Sequence, residues 1–426
     1  MTSPTKRLRF LTRKNVGGAS TALLDRVSEV TFLPMEAIGE QGELDLSTTR
    51  PVDEVQSGYT RFTEGDVVIA KITPCFENGK GALIRGTTTG IGFGTTELHV
   101  LTPGPELDGR FLYYVTVEPR FRRLGEACMT GAAGQQRVPE DFVRDFRIPV
   151  FPLPRQRAIA DYLDRELTRI DALIAAKERV LGLLAEKCRA LITRAVTRGL
   201  DPNAPFRDSG IPWLGEIPAH WDRTQLRRFV QFLTSGSRGW AEYYSDTGAT
   251  FLRIGNLTRG SVRLDLSAIQ YVDPPKGAEG ERTRVQIGDL LFSITAYLGS
   301  VAFVDQDIGD AYVNQHIALV RLRKLSGLVS EYAAYAALGD SGQTQLVAQS
   351  YGGTKTQLAL DDIRELWFPV PPVSEQTAIV EHVDAELSKI DQLRSAAKAS
   401  IALLRERRSA LIAAAVTGQL DVGSAA

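Results

Sequence analysis

Apolar residues recur at three- and four-residue steps through two long stretches of the chain, and those stretches predict its most regular elements. The first carries Ile159, Leu163, Leu167, Ile170, Ile174, Leu181, Leu184, Cys188 and Leu191; the second carries Ile379, Val383, Leu387, Ile390, Leu393, Ile401, Leu404 and Leu411. Steps of this kind, sustained this long, describe a coiled-coil seam. Pro152 and Pro154 close the strand-like run 146–151 before the first stretch, because proline cannot continue a ladder. Ser374 is a suitable N-cap for the second, with Glu375 in its first turn. A helix of about 40 residues spans roughly 60 Å, and each alone would expose its apolar stripe. Two such stripes in one chain pack most simply on each other. The predicted pairing is antiparallel, because the connection between them holds a whole domain.

The two stretches are copies. Asp141 to Asp201 matches Asp361 to Asp421 without a gap at an offset of 220 residues, with about two positions in five identical. Gln156 pairs with Gln376, Asp164 with Asp384, Ile170-Asp171 with Ile390-Asp391, and Ala195-Val196-Thr197 with Ala415-Val416-Thr417. Chance similarity between two amphipathic helices would not keep the Pro-Val-x-Pro lead-in, the interior and the Leu-Asp exit in one register, so the reading starts from an internal repeat. The domains preceding the helices resemble each other more faintly. Gly65-Asp66 and Gly288-Asp289 each look like a turn opening a buried strand, and the runs 98–101 and 317–322 are β-type, bounded by glycine clusters.

The expected fold is therefore α+β: two pseudo-symmetric, β-rich globular domains separated by two long antiparallel coiled-coil helices. The expected boundaries are 1–150 for the first domain, 151–201 for the first helix, 202–222 for an extended connector, 223–370 for the second domain and 371–426 for the second helix. Four prolines and two glycines between Asp201 and Trp221 mark the connector. Its Ile211, Trp213, Leu214, Ile217 and Trp221 predict that it lies along the protein.

Composition narrows the class. A hydrophobic share of 43% over 426 residues is globular. No apolar run is long enough to cross a membrane, and the N-terminus runs into Lys6 and Arg7 without the apolar core of a signal peptide. Cys75, Cys128 and Cys188 are odd in number and far apart, which suits neither a disulfide framework nor a zinc site. A cytoplasmic location is expected. The formal net charge of −1 gives no sign of a nucleic-acid binder. Positive charge for such a ligand must be local or supplied by partners.

Catalytic motifs are missing. Asp273-Pro274-Pro275-Lys276 has three letters of an adenine-methyltransferase loop, but Lys stands where an aromatic ring must stack, so a turn is expected. Gly90-Ile91-Gly92-Phe93-Gly94 lacks dinucleotide-loop spacing and a following helix, and a hairpin turn is expected. His99, His220, His316 and His382 show no metal-ligand spacing. There is no P-loop, and the carboxylates are scattered.

Two variable domains, each ending in a Pro-Val-x-Pro lead-in to a long repeated helix, resemble the specificity subunit of type I restriction–modification systems. The segment Asp208 to Trp221 is similar to the one opening the second half in that family. The resemblance implies that each domain reads one half of a split, asymmetric DNA target. It implies that the helices set the gap and dock two modification subunits that carry S-adenosylmethionine and methylate adenine. Nuclease subunits using ATP and Mg would join them, and this chain would perform no chemistry itself.

Base edges are read by Arg, Lys, Asn, Gln, Ser and Thr on exposed loops, while phosphate contacts position the protein. In the first domain the loop from Gly131 to Arg137 offers Gln135, Gln136 and Arg137. The corresponding loop of the second offers Lys355, Thr356 and Gln357. Lys71, Thr73 and Lys80, and Thr295, Tyr297, Asn314 and Gln315, complete the expected DNA-contacting set. The basic patch Arg120-Phe121-Arg122-Arg123 is either a phosphate contact or a solvated helix face. Two rival readings are a self-contained DNA methyltransferase or nuclease, which needs the missing motifs, and a non-DNA coiled-coil scaffold, which the near-zero charge permits.

Overall fold

The computed structural model describes residues 4–13, 27–132, 134–274, 277–295, 298–350 and 357–422. The chain divides into two compact units, residues 1–177 with 399–426 and residues 178–398. Each unit holds one β-rich domain and one end of a helix pair.

The long helices run Leu153–Arg198 and Val373–Val416. Within the first unit, Phe151 meets Gly418 and Asp171 meets Arg408 (3.2 Å), so the partner position falls as the first helix advances. Within the second, Cys188 shares a cleft with Asp391, and Gly199 lies against Glu375. The pairing is antiparallel in both, as expected from the domain-sized connection between the helices. Ile159, Leu163, Leu167, Ile170, Ile379, Val383, Ile390 and Ile401 are buried along it. Leu393 is the exception: it is 58% exposed. The half-buried Arg394 takes its place toward the partner helix, bonded to Asp391 at 3.0 Å.

Each domain is built from two four-stranded sheets, one of which keeps the same strand order in both. In the first unit one sheet runs Thr12–Arg13, Leu98–Pro103, Val67–Ala70, Gly81–Leu83; in the second it runs Val230–Ser235, Ile317–Leu322, Leu290–Ser293, Val301–Phe303. The other sheet is centred on a parallel pair, Glu29–Leu33 with Ile91–Gly94 in the first unit and Ala249–Leu252 with Ala311–Val313 in the second. The copies differ at both edges of this sheet, where the second unit adds Tyr244–Ser245 beside Gln270–Val272. Strand Thr60–Thr63 pairs with Ile91–Gly94, whereas the second unit keeps only an isolated bridge, Arg284 to Tyr312, at that point.

Local chemistry explains the repeated turns. Gly65 and Gly288 adopt φ +88° and +89°, open to glycine without strain. The next residue, Asp66 or Asp289, is fully buried and accepts the turn's backbone N–H, from Thr63 at 2.7 Å and from Gln286 at 2.8 Å. A strand of four buried residues follows each. The segment 90–94 is not the hairpin turn its glycines suggest: Ile91–Gly94 is a buried central strand. Gly92 is required because a Cβ there would lie 2.3 Å from the Phe62 ring. The connector is partly regular, as Phe206–Asp208 pairs with Glu216–Pro218. Trp221 at its end is buried and donates to Glu375 at 3.0 Å. The Asp-Pro-Pro-Lys segment falls partly outside the described residues.

Each domain is fastened to its helix by the same side chains. Gln156 accepts from Asp108 N and donates to the carbonyls of Glu106 and Phe151, while Gln376 accepts from Val329 N and donates to those of Gly327 and Pro371. Tyr114 donates to Asp164, and Tyr335 to Asp384. The arginine that neutralises each aspartate comes from a different place. Arg110 reaches Asp164 from one turn back on the tyrosine's own helix, Gly109–Val117, whereas Arg263 reaches Asp384 from a loop. Burial pushes both tyrosine hydroxyls up in pKa, and the neighbouring aspartate pushes the same way.

Candidate nucleic-acid interface

In the first unit, five of the sequence-predicted residues come together. The loop 130–137 is clamped by bridges from Arg137 to Ile72 and to Thr130, and by Thr73 N donating to Gln136 O at 2.9 Å. Val138 N donates to Lys71 O at 2.8 Å. Lys71, Thr73, Gln135, Gln136 and Arg137 therefore share one surface. Gln135 is fully exposed, and the others are half-buried. Lys80 stands apart: its ammonium donates to Met35 O at 2.9 Å.

The residue that organises this surface is Glu97, which the sequence reading missed. Its carboxylate accepts from Arg137 Nε at 2.9 Å and Nη2 at 2.8 Å. The hydrogen bond from Arg137 holds the Glu97 pKa below its ordinary value and raises that of Arg137. Beside it, a cleft of about 730 Å³ is lined by Arg9, Arg13, Lys71, His99, Arg137 and Arg144. Acids temper this basic wall: Arg9 pairs with Asp145 at 2.7 Å and Arg144 with Glu140 at 3.2 Å. His99 bonds Val138 O at 2.8 Å. A carbonyl only accepts, so Nε2 carries the proton, and burial lowers the ring's pKa.

The segment 73–80 projects beside this surface as a rigid loop. Phe76 is fully buried beneath it, and Arg122 donates to Phe76 O at 2.9 Å and Gly79 O at 3.1 Å. Arg122 therefore faces inward, with burial lowering its pKa to about 10, and is not part of a solvated basic face. Arg120 and Arg123 remain exposed.

The second unit repeats the arrangement with other side chains. Thr295 bridges Gln357 as Ile72 bridges Arg137, and Leu358 N donates to Ile294 O as Val138 N does to Lys71 O. His316 occupies the place of Glu97, immediately before the strand, with Nδ1 2.8 Å from Thr295 Oγ1 and Nε2 3.1 Å from Gln315 Nε2. Gln357 is exposed. Asn314 is buried, its Oδ1 accepting from His316 N at 3.1 Å, so it shapes the turn. Tyr297, Lys355 and Thr356 lie outside the described residues. Aligning the two copies on the strands 98–103 and 317–322 brings Glu97 opposite His316. That alignment is the signal that could have found both.

Among the described residues no group of three or more His, Cys, Asp or Glu side chains could hold a metal ion, and no helix is long and apolar enough to cross a membrane. The fold and these surfaces define a class: a duplicated protein in which one framework presents two different polar loop surfaces.

Comparison with known proteins finds similar chains. Residues 266–401 match the model of the type I restriction modification DNA specificity domain. The EcoAI specificity subunit of Escherichia coli is 40% identical over 176 residues, 38% of this chain and 30% of the relative. The EcoKI specificity subunit of Escherichia coli K12 is 25% identical over 330 residues, 75% of this chain and 68% of the relative. The chain thus spans about a third of the length of the first curated relatives it matches. Among solved structures, a chain from a study of complex assembly and conformational transition in a type I R-M system aligns over 98% of both chains with TM-score 0.76 and 16% identity. The HsdS subunit from Thermoanaerobacter tengcongensis aligns over 98% of this chain and 97% of its own with TM-score 0.53 and 17% identity; both show a shared fold. Residues 266–401 thus match the specificity-domain model, and the chain is similar to type I restriction enzyme specificity subunits.

Proposed function

We propose that this chain reads a bipartite, asymmetric DNA sequence and brings modification subunits to it, performing no chemistry itself. One observation carries the reading. Two copies of one framework present loop surfaces at the same point, and the side chains there differ, Arg137 with Glu97 against Gln357 with His316. A scaffold has no need of matched frames with divergent polar tips; a reader of two unlike half-sites does. Each good base contact discriminates by about 1–3 kcal/mol, and two linked readers combine through effective concentration when both half-sites lie at the permitted spacing.

On this reading S-adenosylmethionine belongs to two modification subunits, and ATP and Mg to nuclease subunits. The long helices dock these partners and set the gap. The net charge of −1 fits a subunit whose phosphate attraction is shared with partners. The test exchanges residues 1–150 for those of a relative with a different target and maps methylated adenines in cells carrying the complex. The expected result is a change in one half-site alone. A change in both, or methyl transfer by the purified chain without partners, overturns the proposal.

A further inference from the structure

We propose that Arg137, held from behind by Glu97, reads a guanine in the first half-site. The inference rests on the DNA-reading function above and names the base.

Three of the five N–H groups of the Arg137 guanidinium are engaged. Nε and Nη2 donate to the Glu97 carboxylate at 2.9 and 2.8 Å, and Nη1 donates to Gln135 O at 3.2 Å. One N–H on each terminal nitrogen is left, on a side chain that is 44% exposed. The major-groove edge of guanine presents two acceptors, N7 and O6, and takes a pair of donors from one guanidinium. Cytosine and adenine place an amino donor on that edge, which would meet an arginine N–H head-on.

The backing carboxylate separates base reading from phosphate binding. A bare arginine suits a phosphate, where charge matters more than direction. Here a carboxylate 2.8 Å away offsets the guanidinium's charge and would repel a phosphate, while the two bonds fix the fork's direction. The backbone is fixed too, since Arg137 is bridged on both sides, to Ile72 and Thr130. A side chain ordered before binding gives up less rotamer freedom on binding. The second unit, with Gln357 and His316 at these places, has no guanidinium to offer there.

The experiment selects duplexes from a randomised pool with the full chain, alone and with its modification subunits. The unaltered protein should enrich a motif with a guanine in its first half. Arg137→Ala should relax preference at that base pair by about 5- to 150-fold and leave the other positions intact. Arg137→Lys keeps the charge without the planar fork, and should hold overall affinity while weakening the guanine preference. Glu97→Gln makes Glu97 testable as a positioning residue: the motif should survive, with discrimination weakened at that one base pair. An equal loss of affinity for all sequences in Arg137→Ala would mark a phosphate contact and overturn the inference, as would relaxation at a base other than guanine. If the unaltered protein enriches no motif, the DNA-reading function falls as well, so the two failures are distinguishable.

Discussion

Gln156 and Gln376 make the same three hydrogen bonds in the two units: each accepts one backbone N–H from its domain and donates to two carbonyls flanking the joint with its long helix. Both are buried, so each fills a socket water cannot satisfy. Replacing either by Ala strands buried backbone groups, at a cost of about 1–3 kcal/mol per group. Hydrogen exchange at the Asp108 amide should quicken in Gln156→Ala, and at the Val329 amide in Gln376→Ala, with no cross-effect. Exchange rising in both units in either variant would show that the sockets are coupled.

Arg263 gathers three carboxylates, Asp305 at 3.0 Å, Asp384 at 2.7 Å and Glu331. Burial raises the Glu331 pKa while Arg263 pulls it down. Without the arginine, Glu331 and Asp384 repel, and the folded-state pKa rises further. A raised carboxyl pKa contributes stability that is present below the unfolded value and lost as pH rises through the folded one. Arg263→Met should therefore cost about 1–3 kcal/mol near pH 7, less than a fully buried pair because the arginine is 38% exposed. Urea unfolding should show the deficit shrinking toward pH 4.5.

His99 predicts a pH dependence of opposite sense. Its folded-state pKa is depressed by burial below its ordinary value of 6.5, so the unfolded chain takes up the proton first. Stability falls as pH drops below about 6.5 and levels off once the folded ring also protonates. His99→Gln keeps a donor for Val138 O and should flatten that part of the stability profile, measured by thermal unfolding between pH 7.5 and 5. An unchanged slope would assign the effect to other groups.

At Gly92, a Cβ would meet the Phe62 ring at 2.3 Å and Thr31 O at 2.9 Å. Gly92→Ala should destabilise the first unit by about 1–3 kcal/mol, read as a lower thermal midpoint. Gly90, with open space around it but φ +76°, should tolerate Asn far better than Val.

Adding four residues at matching register to each long helix lengthens it by about 6 Å, close to two base-pair steps. The target read by the complex should keep both half-sites and gain about two base pairs in the gap. An altered half-site would show that the helices do more than set distance.

How much of this was legible in the sequence follows the range of the forces involved. The helices were readable because one period is held through 46 and 44 residues, and the duplication because its register has no gap. Leu393 misled because periodicity alone cannot tell an outward leucine from the half-buried Arg394 beside it. The strand at 91–94 was hidden because its glycines make room for neighbours, Gly92 for Phe62 and Gly94 for Leu33, and do not make a turn. Glu97 and His316 carried no local signal. Each matters only through a partner 40 or 21 residues away in sequence, and that pairing exists only once the strands are laid side by side. Arg122 read as part of a basic patch because charge in sequence does not reveal which way a side chain turns.

The arginines of the two Tyr–Asp latches come from unrelated places, Arg110 from a helix and Arg263 from a loop. Both copies keep the tyrosine and the aspartate, but each draws its cation from a different element. The two copies therefore share a latch but not its counter-ion, so a change at Arg110 or at Arg263 loosens one joint and leaves the charge balance of the other in place.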